Sequence, residues 1–169
     1  RRLVDAQVAF GLGNYDDAAV MLYDYVAKYP NSPAYDRALY YLAESLFQKG
    51  DSVASRTYFV KLVNEKQSSK FYQQGLERLI ELSLKLPDAK VKDWLTALDS
   101  VPAGKRRTSV SYVRGKYYFF SNDYDKAITA FERVPASSRY YFQARYFIGT
   151  SHTAKKNLAP AIRTFKKLI

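Results

Sequence analysis

The sequence predicts an all-α fold, an α-solenoid of about five helix-turn-helix repeats, and three observations support this prediction. The segment NYDDAAVMLYDYV, which begins at residue 14, returns as NDYDKAITAFERV from residue 122. Only 7 glycines and 6 prolines occur in 169 residues, as is typical of helices joined by short turns. The same number of residues separates Gly115 from Gly149, Ala127 from Ala161 and Phe131 from Phe165. This spacing is typical of stacked two-helix repeats.

The first two repeats are bounded by clear stop signals. The first is predicted over residues 3–30, with a second helix that begins near Tyr15. The sequence YPNSP ends this helix, because proline lacks a backbone N–H and disfavours helix in the residue before it. In the second repeat, a first helix over residues 34–49 carries an apolar stripe, and Gly50 begins the turn to the next helix.

The third repeat is degenerate, whereas the last two are regular. Residues 71–86 are apolar on more than one side, which predicts central burial. A helix is predicted to start at Pro87, and it places Trp94 where the other repeats have a small residue, so the neighbouring helix must stand further away. The fourth and fifth repeats are predicted over residues 109–136 and 139–169.

Charge is distributed unevenly along the chain. Residues 1–102 are neutral, and the whole net charge of +11 lies in residues 109–169 and in the segment that precedes them. That segment, residues 103–108, contains a glycine and three consecutive cations and is a candidate hinge. The asymmetry indicates an acidic partner, an anionic lipid or a nucleic acid, with a solvated basic face as the alternative.

The composition excludes several classes of site. The chain has no cysteine, so disulfides, thiolate catalysis and sulfur-rich metal sites are excluded. No apolar run approaches the roughly 18 residues that indicate a membrane span. The chain opens on Arg1 inside a helical pattern, without a leader segment, so we expect a fragment or mature piece of a longer protein.

The repeats resemble the tetratricopeptide repeat (TPR) family, in which helices A and B alternate. Ala43, Gly115 and Gly149 match the small residue at the eighth position of helix A, and Ala18, Ala127 and Ala161 match the small residue of helix B. The resemblance is weakest in the third repeat. It implies a right-handed solenoid that mediates protein–protein contacts.

Two arginines depart from the family pattern. Arg114 and Arg145 fall where the family usually has apolar residues. Either the aliphatic parts of these side chains are buried and their guanidinium groups reach solvent, or the register assigned to helix A is wrong by one residue.

A narrower likeness comes from the segment AKYPNSPAYDRALYYLAESLFQKGD, residues 27–51. It is similar to the repeats of bacterial envelope proteins of the outer-membrane-assembly lipoprotein and Tol-Pal-coordinator type. This likeness implies a periplasmic or outer-membrane-associated protein, with the cytoplasm as the alternative.

The family resemblance also implies a partner-binding groove lined by helix A. Transferred residue by residue, it predicts partner contacts from Arg37, Tyr40, Glu44 and Phe47 in repeat two, from Tyr112, Lys116, Phe119 and Phe120 in repeat four, and from Tyr146 in repeat five. Aromatic rings with polar tips suit an extended peptide or a partner helix. In the alternative interpretation, these rings pack against the next repeat. Tyrosine at the fifth position argues against the carboxylate clamp of chaperone-adaptor repeats, which needs lysine there.

A second candidate surface is a basic patch that could hold phosphate or carboxylate groups. A nucleic-acid role is not favoured, because no base-reading motif is present and the aromatic residues fall at packing spacing. The predicted patch comprises Lys105, Arg106, Arg107, Lys155, Lys156, Arg163, Lys166 and Lys167.

Nothing in the sequence predicts an enzyme. No Ser-His-Asp order, phosphate-binding loop or nucleotide fingerprint is found. His152, the single histidine, aligns with a core position and is expected to be packed or half-buried rather than to bind a metal. We therefore expect no catalytic residue, no metal and no cofactor, and a non-enzymatic scaffold that binds protein partners, with an anionic-polymer binder or a helical appendage of an enzyme as alternatives.

Overall fold

The computed structural model describes residues 2–168 of the chain, and this range contains ten α-helices and no β-strand. The all-α prediction is confirmed. A short 3-10 helix, Ala103–Lys105, lies between the sixth and seventh α-helices. The helices are α1 (Arg2–Gly11), α2 (Tyr15–Lys28), α3 (Tyr35–Gln48), α4 (Ser52–Glu65), α5 (Tyr72–Leu82), α6 (Val91–Ser100), α7 (Val110–Phe120), α8 (Tyr124–Glu132), α9 (Tyr141–Ala154) and α10 (Leu158–Lys166).

The helices are grouped into two compact units. The first ends at Ala89 and contains α1–α5, and the second starts at Lys90 and contains α6–α10. The two helices of the predicted third repeat therefore belong to different units. The helix expected to start at Pro87 begins instead at Val91, because Pro87 and Asp88 have no helical hydrogen bonding. The candidate hinge at residues 103–108 lies inside the second unit, and its role stays a prediction.

In the first unit, each helix packs on its neighbours in the chain. α3 lies against both α2 and α4, and α5 lies against α4. The small position of α4 is occupied by Ser55, which is fully buried, and its hydroxyl donates a hydrogen bond to the carbonyl of Ala43 at 2.9 Å. Gly75 of α5 packs directly on Val63, because a Cβ at Gly75 would lie 3.0 Å from a methyl group of that valine.

The turn between helices A and B has the same design in four hairpins. Each turn contains one residue with positive φ, either a glycine (Gly13, Gly50) or a non-glycine residue (Asn122 at 61°, Lys156 at 60°). An asparagine or aspartate follows directly. In three of the turns the side chain of that residue accepts a hydrogen bond from a backbone N–H in the first turn of helix B, which caps the helix.

The second unit is built around close contacts between glycine and phenylalanine. A Cβ on Gly115 would lie 2.5 Å from the ring of Phe131, and a Cβ on Gly149 would lie 2.6 Å from the ring of Phe165. Phe131 is fully buried and stacks on Phe147, with 5.2 Å between the ring centroids. The small residue of helix A thus admits the large residue of helix B, as the register of the last two repeats predicts.

Candidate partner-binding surfaces

In the first unit, two of the predicted groove residues are held by an arginine of α5. The carboxylate of Glu44, only 4% exposed as a residue, accepts hydrogen bonds from Nε and Nη2 of Arg78 at 2.9 and 2.6 Å. Nη1 of Arg78 donates to Glu81 at 2.7 Å, and its guanidinium lies 4.2 Å from the ring centroid of Phe47. Arg37 is exposed. Glu44 and Phe47 therefore already have a partner within the chain.

The environment keeps Arg78 charged. Burial alone would lower the pKa of Arg78, but its hydrogen bonds and charge interactions with Glu44 and Glu81 raise that pKa above its ordinary value. The sequence analysis did not predict that Arg78 contacts the groove residues. The sequence feature that could have indicated this contact is an arginine one repeat after a carboxylate at a groove position.

The tyrosines at the fifth position of two A helices pack against residues that precede the next A helix. Tyr40 stacks on Phe71 with a centroid distance of 4.5 Å and an interplanar angle of 13°. Tyr112 stacks on Tyr140 with the same distance and an angle of 6°. Both tyrosines are half-buried. The interpretation in which rings pack on the next repeat thus describes the geometry of these two, and their contact with a partner stays a prediction.

The other predicted aromatic residues form an exposed cluster on α7 and α9. Phe120 and Tyr146 are 55% and 56% exposed, and the ring of Phe147 lies 6.2 and 6.1 Å from theirs. The ring of Phe119 also contacts Phe147, with 4.9 Å between the ring centroids. We call Phe119, Phe120, Tyr146 and Phe147 the aromatic patch. The ammonium of Lys116 lies on the same side of α7, near a stacked tyrosine ring.

The predicted basic patch is divided between several places in the second unit. Its members are exposed, and some have partners within the chain. Nε of Arg106 donates to the carbonyl of Val101 at 2.7 Å, and Lys155 forms an ion pair with Asp125. Arg106 and Arg107 border one cavity, whereas Arg163 and Lys167 border another. Lys105, Lys155, Lys156 and Lys166 border neither of these two.

The first cavity, here the α7–α8 cavity, has a volume of about 270 Å³. Its lining contains no carboxylate, and three hydroxyl-bearing residues accompany the cations. Sequence reasoning included only two of the cations, because recognising the others required knowing which faces of α7 and α8 meet. The five cations that line it are Arg106, Arg107, Arg114, Lys126 and Arg133.

The second cavity, here the α9–α10 cavity, has a volume of about 370 Å³ and is bordered by one carboxylate, that of Glu132. Nε of Arg145 and Nδ1 of His152 are buried there and have no hydrogen-bond partner within residues 2–168. His152 is half-buried, as expected. The two cavities lie at equivalent positions of successive repeats. Residues that line the first cavity correspond to residues that line the second at the sequence spacing that separates Gly115 from Gly149. The corresponding residues are Ser111 and Arg145, Arg114 and Ile148, Tyr118 and His152, and Arg133 and Lys167.

These cavities explain the two arginines that depart from the family pattern. The contact between Gly115 and Phe131 fits the assigned register, so Arg114 does not reflect a register error. The side chain of Arg114 is 20% exposed and forms an ion pair with Asp99 at the end of α6. Arg145 lies with its Cζ 4.9 Å from the ring centroid of Tyr141. Both charges are held in crevices between helices.

Two further findings concern possible ligands and membranes. Among the described residues, no group of three or more His, Asp or Glu side chains is arranged to hold a metal ion. No helix within residues 2–168 is both long enough and apolar enough to cross a bilayer.

Comparison with known proteins gives a consistent result. The sequence model described as tetratricopeptide repeat matches residues 3–69 and 112–169. Among solved structures, MamA 41-end from Desulfovibrio magneticus RS-1 aligns with a TM-score of 0.79 at 20% identity, covering 99% of this chain and 90% of that one. BtubC from P. vanneervenii aligns with a TM-score of 0.78 at 14% identity, covering 96% and 75%. A thermophilic TPR protein in Thermus thermophilus aligns with a TM-score of 0.66 at 20% identity, covering 99% and 88%. No match is found among curated proteins.

Proposed function

The chain belongs to the tetratricopeptide repeat family, and we propose that it is a non-enzymatic scaffold that binds a protein partner through the aromatic patch. The observation that carries this proposal is the exposure of Phe120 and Tyr146, which leave more than half of two large rings in contact with water beside Phe147. Exposed aromatic clusters on a protein surface mark interaction sites, because their burial on binding is favourable.

The patch suits a partner that presents apolar side chains at helical or extended spacing. The half-buried rings of Phe119 and Phe147 contact each other and flank the exposed rings, since Phe120 lies 5.3 Å from Phe119 and Tyr146 lies 6.1 Å from Phe147 between ring centroids. Rigid aromatic residues lose little conformational entropy when they bind. Lys116 on the same side of α7 adds a positive charge at the edge. We therefore expect an amphipathic segment with apolar anchors and flanking acids.

The corresponding face of the first unit is less open to a partner. Glu44 and Phe47 are engaged by Arg78, and Tyr40 is stacked on Phe71. A partner that used Glu44 would have to displace a charge-assisted hydrogen-bond pair, which is unfavourable. We propose that these residues orient the repeats and that the principal contacts come from the second unit.

The proposal is tested by site-specific cross-linking. A photoreactive phenylalanine at position 146 is introduced into the protein in its native host, and the cross-linked partner is identified by mass spectrometry. The affinity of that partner is then measured for the wild type and for the double variant Phe120→Ala/Tyr146→Ala. We expect a loss of at least about 2 kcal/mol, because buried aromatic anchors dominate binding free energy.

The matched control removes two aromatic rings of similar exposure from the first unit. Tyr23 and Tyr29 are 60% and 46% exposed and lie on α2 and at its C-terminal cap. The variant Tyr23→Ala/Tyr29→Ala should bind the partner as tightly as the wild type does. Equal affinities for the wild type and for Phe120→Ala/Tyr146→Ala would refute the role of the aromatic patch.

The anionic-polymer alternative rests on the cations of the second unit. Several of them line separate cavities between helices instead of one continuous stripe, an arrangement that suits small anionic groups better than a polyanion backbone. Binding to DNA or RNA with a steep salt dependence would support this alternative against our proposal.

We further propose that the partner complex lies in a bacterial cell envelope. This proposal rests on the likeness of residues 27–51 to envelope repeat proteins. Fractionation of the native organism, followed by detection with an antibody, tests it. Recovery in the periplasmic or outer-membrane fraction is expected, and recovery in the cytoplasmic fraction alone would contradict it.

A further inference from the structure

The α7–α8 cavity lies away from the aromatic patch and carries a different chemistry. On α7, Phe119 and Phe120 of the patch follow the cavity residue Arg114 by five and six positions in sequence, which places them about 140° and about 120° from it around the helix axis. We propose that the α7–α8 cavity is a binding site for a dianionic phosphate group. The site goes beyond the partner-binding role of the aromatic patch and does not depend on it.

The charges around the cavity favour an anion with more than one negative charge. The lining contributes five cations and no carboxylate. Two carboxylates outside the lining interact with these cations, Asp99 with Arg114 and Asp123 with Lys126. Residues 101–169 contain 14 lysines and arginines and only three acids, so nearby acids are too few to balance this part of the chain.

The cations approach the cavity from three directions. Arg106 and Arg107 precede α7, Arg114 lies on α7, Lys126 lies on α8, and Arg133 directly follows α8. Four of the five are arginines, whose planar forks match the geometry of phosphate oxygens. A tetrahedral anion can accept hydrogen bonds from several such directions at once, whereas a planar carboxylate has only two oxygens to offer. This geometry favours phosphate over carboxylate.

The hydroxyl groups and the size of the cavity fit the same ligand. Ser111, Tyr118 and Thr129 line it with hydroxyl-bearing side chains, of which Thr129 donates its hydroxyl to the backbone carbonyl of Asp125. The volume of about 270 Å³ is slightly below the usual range of small-molecule sites, which begins near 300 Å³. The space therefore suits a phosphorylated side chain or a small phosphate ester, and it is too small for a large cofactor.

The next repeat shows that this cation set belongs to repeat four. At the equivalent positions of the α9–α10 cavity, Arg114 is replaced by Ile148 and Lys126 by Pro160. Ile148 is 3% exposed, so an apolar side chain fills this position without difficulty. The fold thus does not require an arginine at position 114. That residue adds a partly buried charge to the cavity wall, where Asp99 pairs with it from outside the lining.

The test uses the chain itself and short synthetic probes, without the protein partner. Two-dimensional NMR follows the backbone amides at constant ionic strength while four probes are added: inorganic phosphate, a capped Gly-phosphoserine-Gly peptide, and the same peptide with serine or with glutamate. We expect saturable shifts centred on residues 106–118 and 126–133 with the phosphate probes. The serine peptide should cause none, and the glutamate peptide should bind at least about tenfold more weakly.

The decisive variant is Arg133→Glu. Arg133 is exposed and follows the last helical residue of α8, so its substitution leaves the core intact. We expect it to weaken phosphoserine binding at least about tenfold. The matched control is Lys92→Glu, which makes the same charge change at an exposed position of α6 outside the cavity lining. It should change the affinity less than about twofold. Circular dichroism confirms that both variants are folded.

Three results would overturn the proposal: no saturable shift with either phosphate probe up to about 10 mM, equal phosphoserine affinities for Arg133→Glu and Lys92→Glu, or a glutamate peptide that binds as tightly as the phosphoserine peptide. If the site is confirmed, tighter binding of the phosphoserine peptide than of inorganic phosphate identifies a phosphorylated protein as the source. Equal binding identifies a small phosphate compound. Loss of the aromatic patch leaves all these outcomes unchanged, so the two proposals fail independently.

Discussion

Adding a single methyl group at Gly115 should destabilise the second unit. The Cβ of an alanine there would lie 2.5 Å from Cδ1 and Cε1 of Phe131 and 2.8 Å from its Cγ. Carbon atoms in ordinary contact are about 3.5 Å apart or more, so the ring or helix α7 must move by about 1 Å. The ring of Phe131 has little freedom to move, because it is fully buried and stacks on Phe147. Its centroid also lies 5.9 Å from that of the Tyr112 ring.

The net magnitude follows from two opposing effects. Overpacking in a dense core lowers the free energy of unfolding by about 1–3 kcal/mol. Three ring atoms of Phe131 lie within 3.0 Å of the added carbon, which places Gly115→Ala at the upper end. Replacing glycine by alanine inside a helix recovers about 1 kcal/mol. We therefore expect a net loss of about 2 kcal/mol, close to a 30-fold change in the folding equilibrium.

Urea denaturation followed by tryptophan fluorescence measures this loss. Trp94 is the single tryptophan, is 6% exposed, and lies in the second unit. Gly104→Ala is the control, because a Cβ there would meet no atom within 4 Å, and it should stay within about 0.5 kcal/mol of the wild type. In a Phe131→Leu background, Gly115→Ala should be less harmful by about 1 kcal/mol. A Gly115→Ala protein as stable as the control would refute the argument.

Three further predictions address other parts of the chain. Arg78→Ala should lower the free energy of unfolding of the first unit by about 2 kcal/mol, because it leaves the buried carboxylate of Glu44 without its cation; the 30% exposure of the Arg78 side chain keeps the loss moderate. Hydrogen exchange of the α3 amides measures this loss, and unchanged protection of those amides would contradict the prediction. Lys156→Gly should raise the free energy of unfolding of the second unit by about 1 kcal/mol, because φ is 60° at this position, and a loss measured by tryptophan fluorescence would refute this. The hydrogen bond from the Lys126 side chain lowers the pKa of Asp123, so Lys126→Ala should raise that pKa in an NMR titration. The stability from a lowered carboxylate pKa is present above the unfolded-state pKa and disappears as the pH falls through the folded-state value.

The repeat architecture could be predicted because it depends on small residues whose spacing survives in the sequence. Gly115 and Gly149 stand one repeat apart, and each admits a phenylalanine of the same repeat to within contact distance. A backbone position that tolerates only glycine leaves a strong signal. The third repeat has no such signal, because Trp94 occupies the small position of its second helix. The start of α6 was accordingly the least accurate boundary.

The candidate surfaces could be predicted only in part, because a position in a repeat does not determine the contacts of its side chain. Tyr112 and Tyr146 occupy the same repeat position, yet Tyr112 stacks on Tyr140 whereas Tyr146 is more than half exposed. Tyr140, the residue before α9, covers Tyr112 in the way that Phe71, the residue before α5, covers Tyr40. Such a contact joins residues of two successive repeats, so the position of a tyrosine within its own repeat does not reveal it.

The cations illustrate a second limit. Adjacent residues such as Arg106 and Arg107 are easily recognised as a cluster, whereas Arg114 and Arg133 belong to it only once α7 and α8 are paired. In the sequence, Arg114 looked like a violation of the apolar pattern of helix A. In the structure, the same residue contributes to the wall of a cationic cavity. A local departure from a repeat pattern was therefore the best sequence signal for this site.

The two proposed sites share α7 but use different faces of it: the phosphate site lies between α7 and α8, whereas the aromatic patch is built from α7 and α9. Gly115 brings α7 close to Phe131, so the ring fills the space between α7 and α8 and separates the two faces. On one face, aromatic side chains extend toward α9 and leave Phe120 exposed. On the other, Arg114 and Arg133 border a cavity that no apolar ring fills. Because the buried ring of Phe131 lies between α7 and α8, we expect a ligand in the cavity and a partner on the aromatic patch to bind without competing.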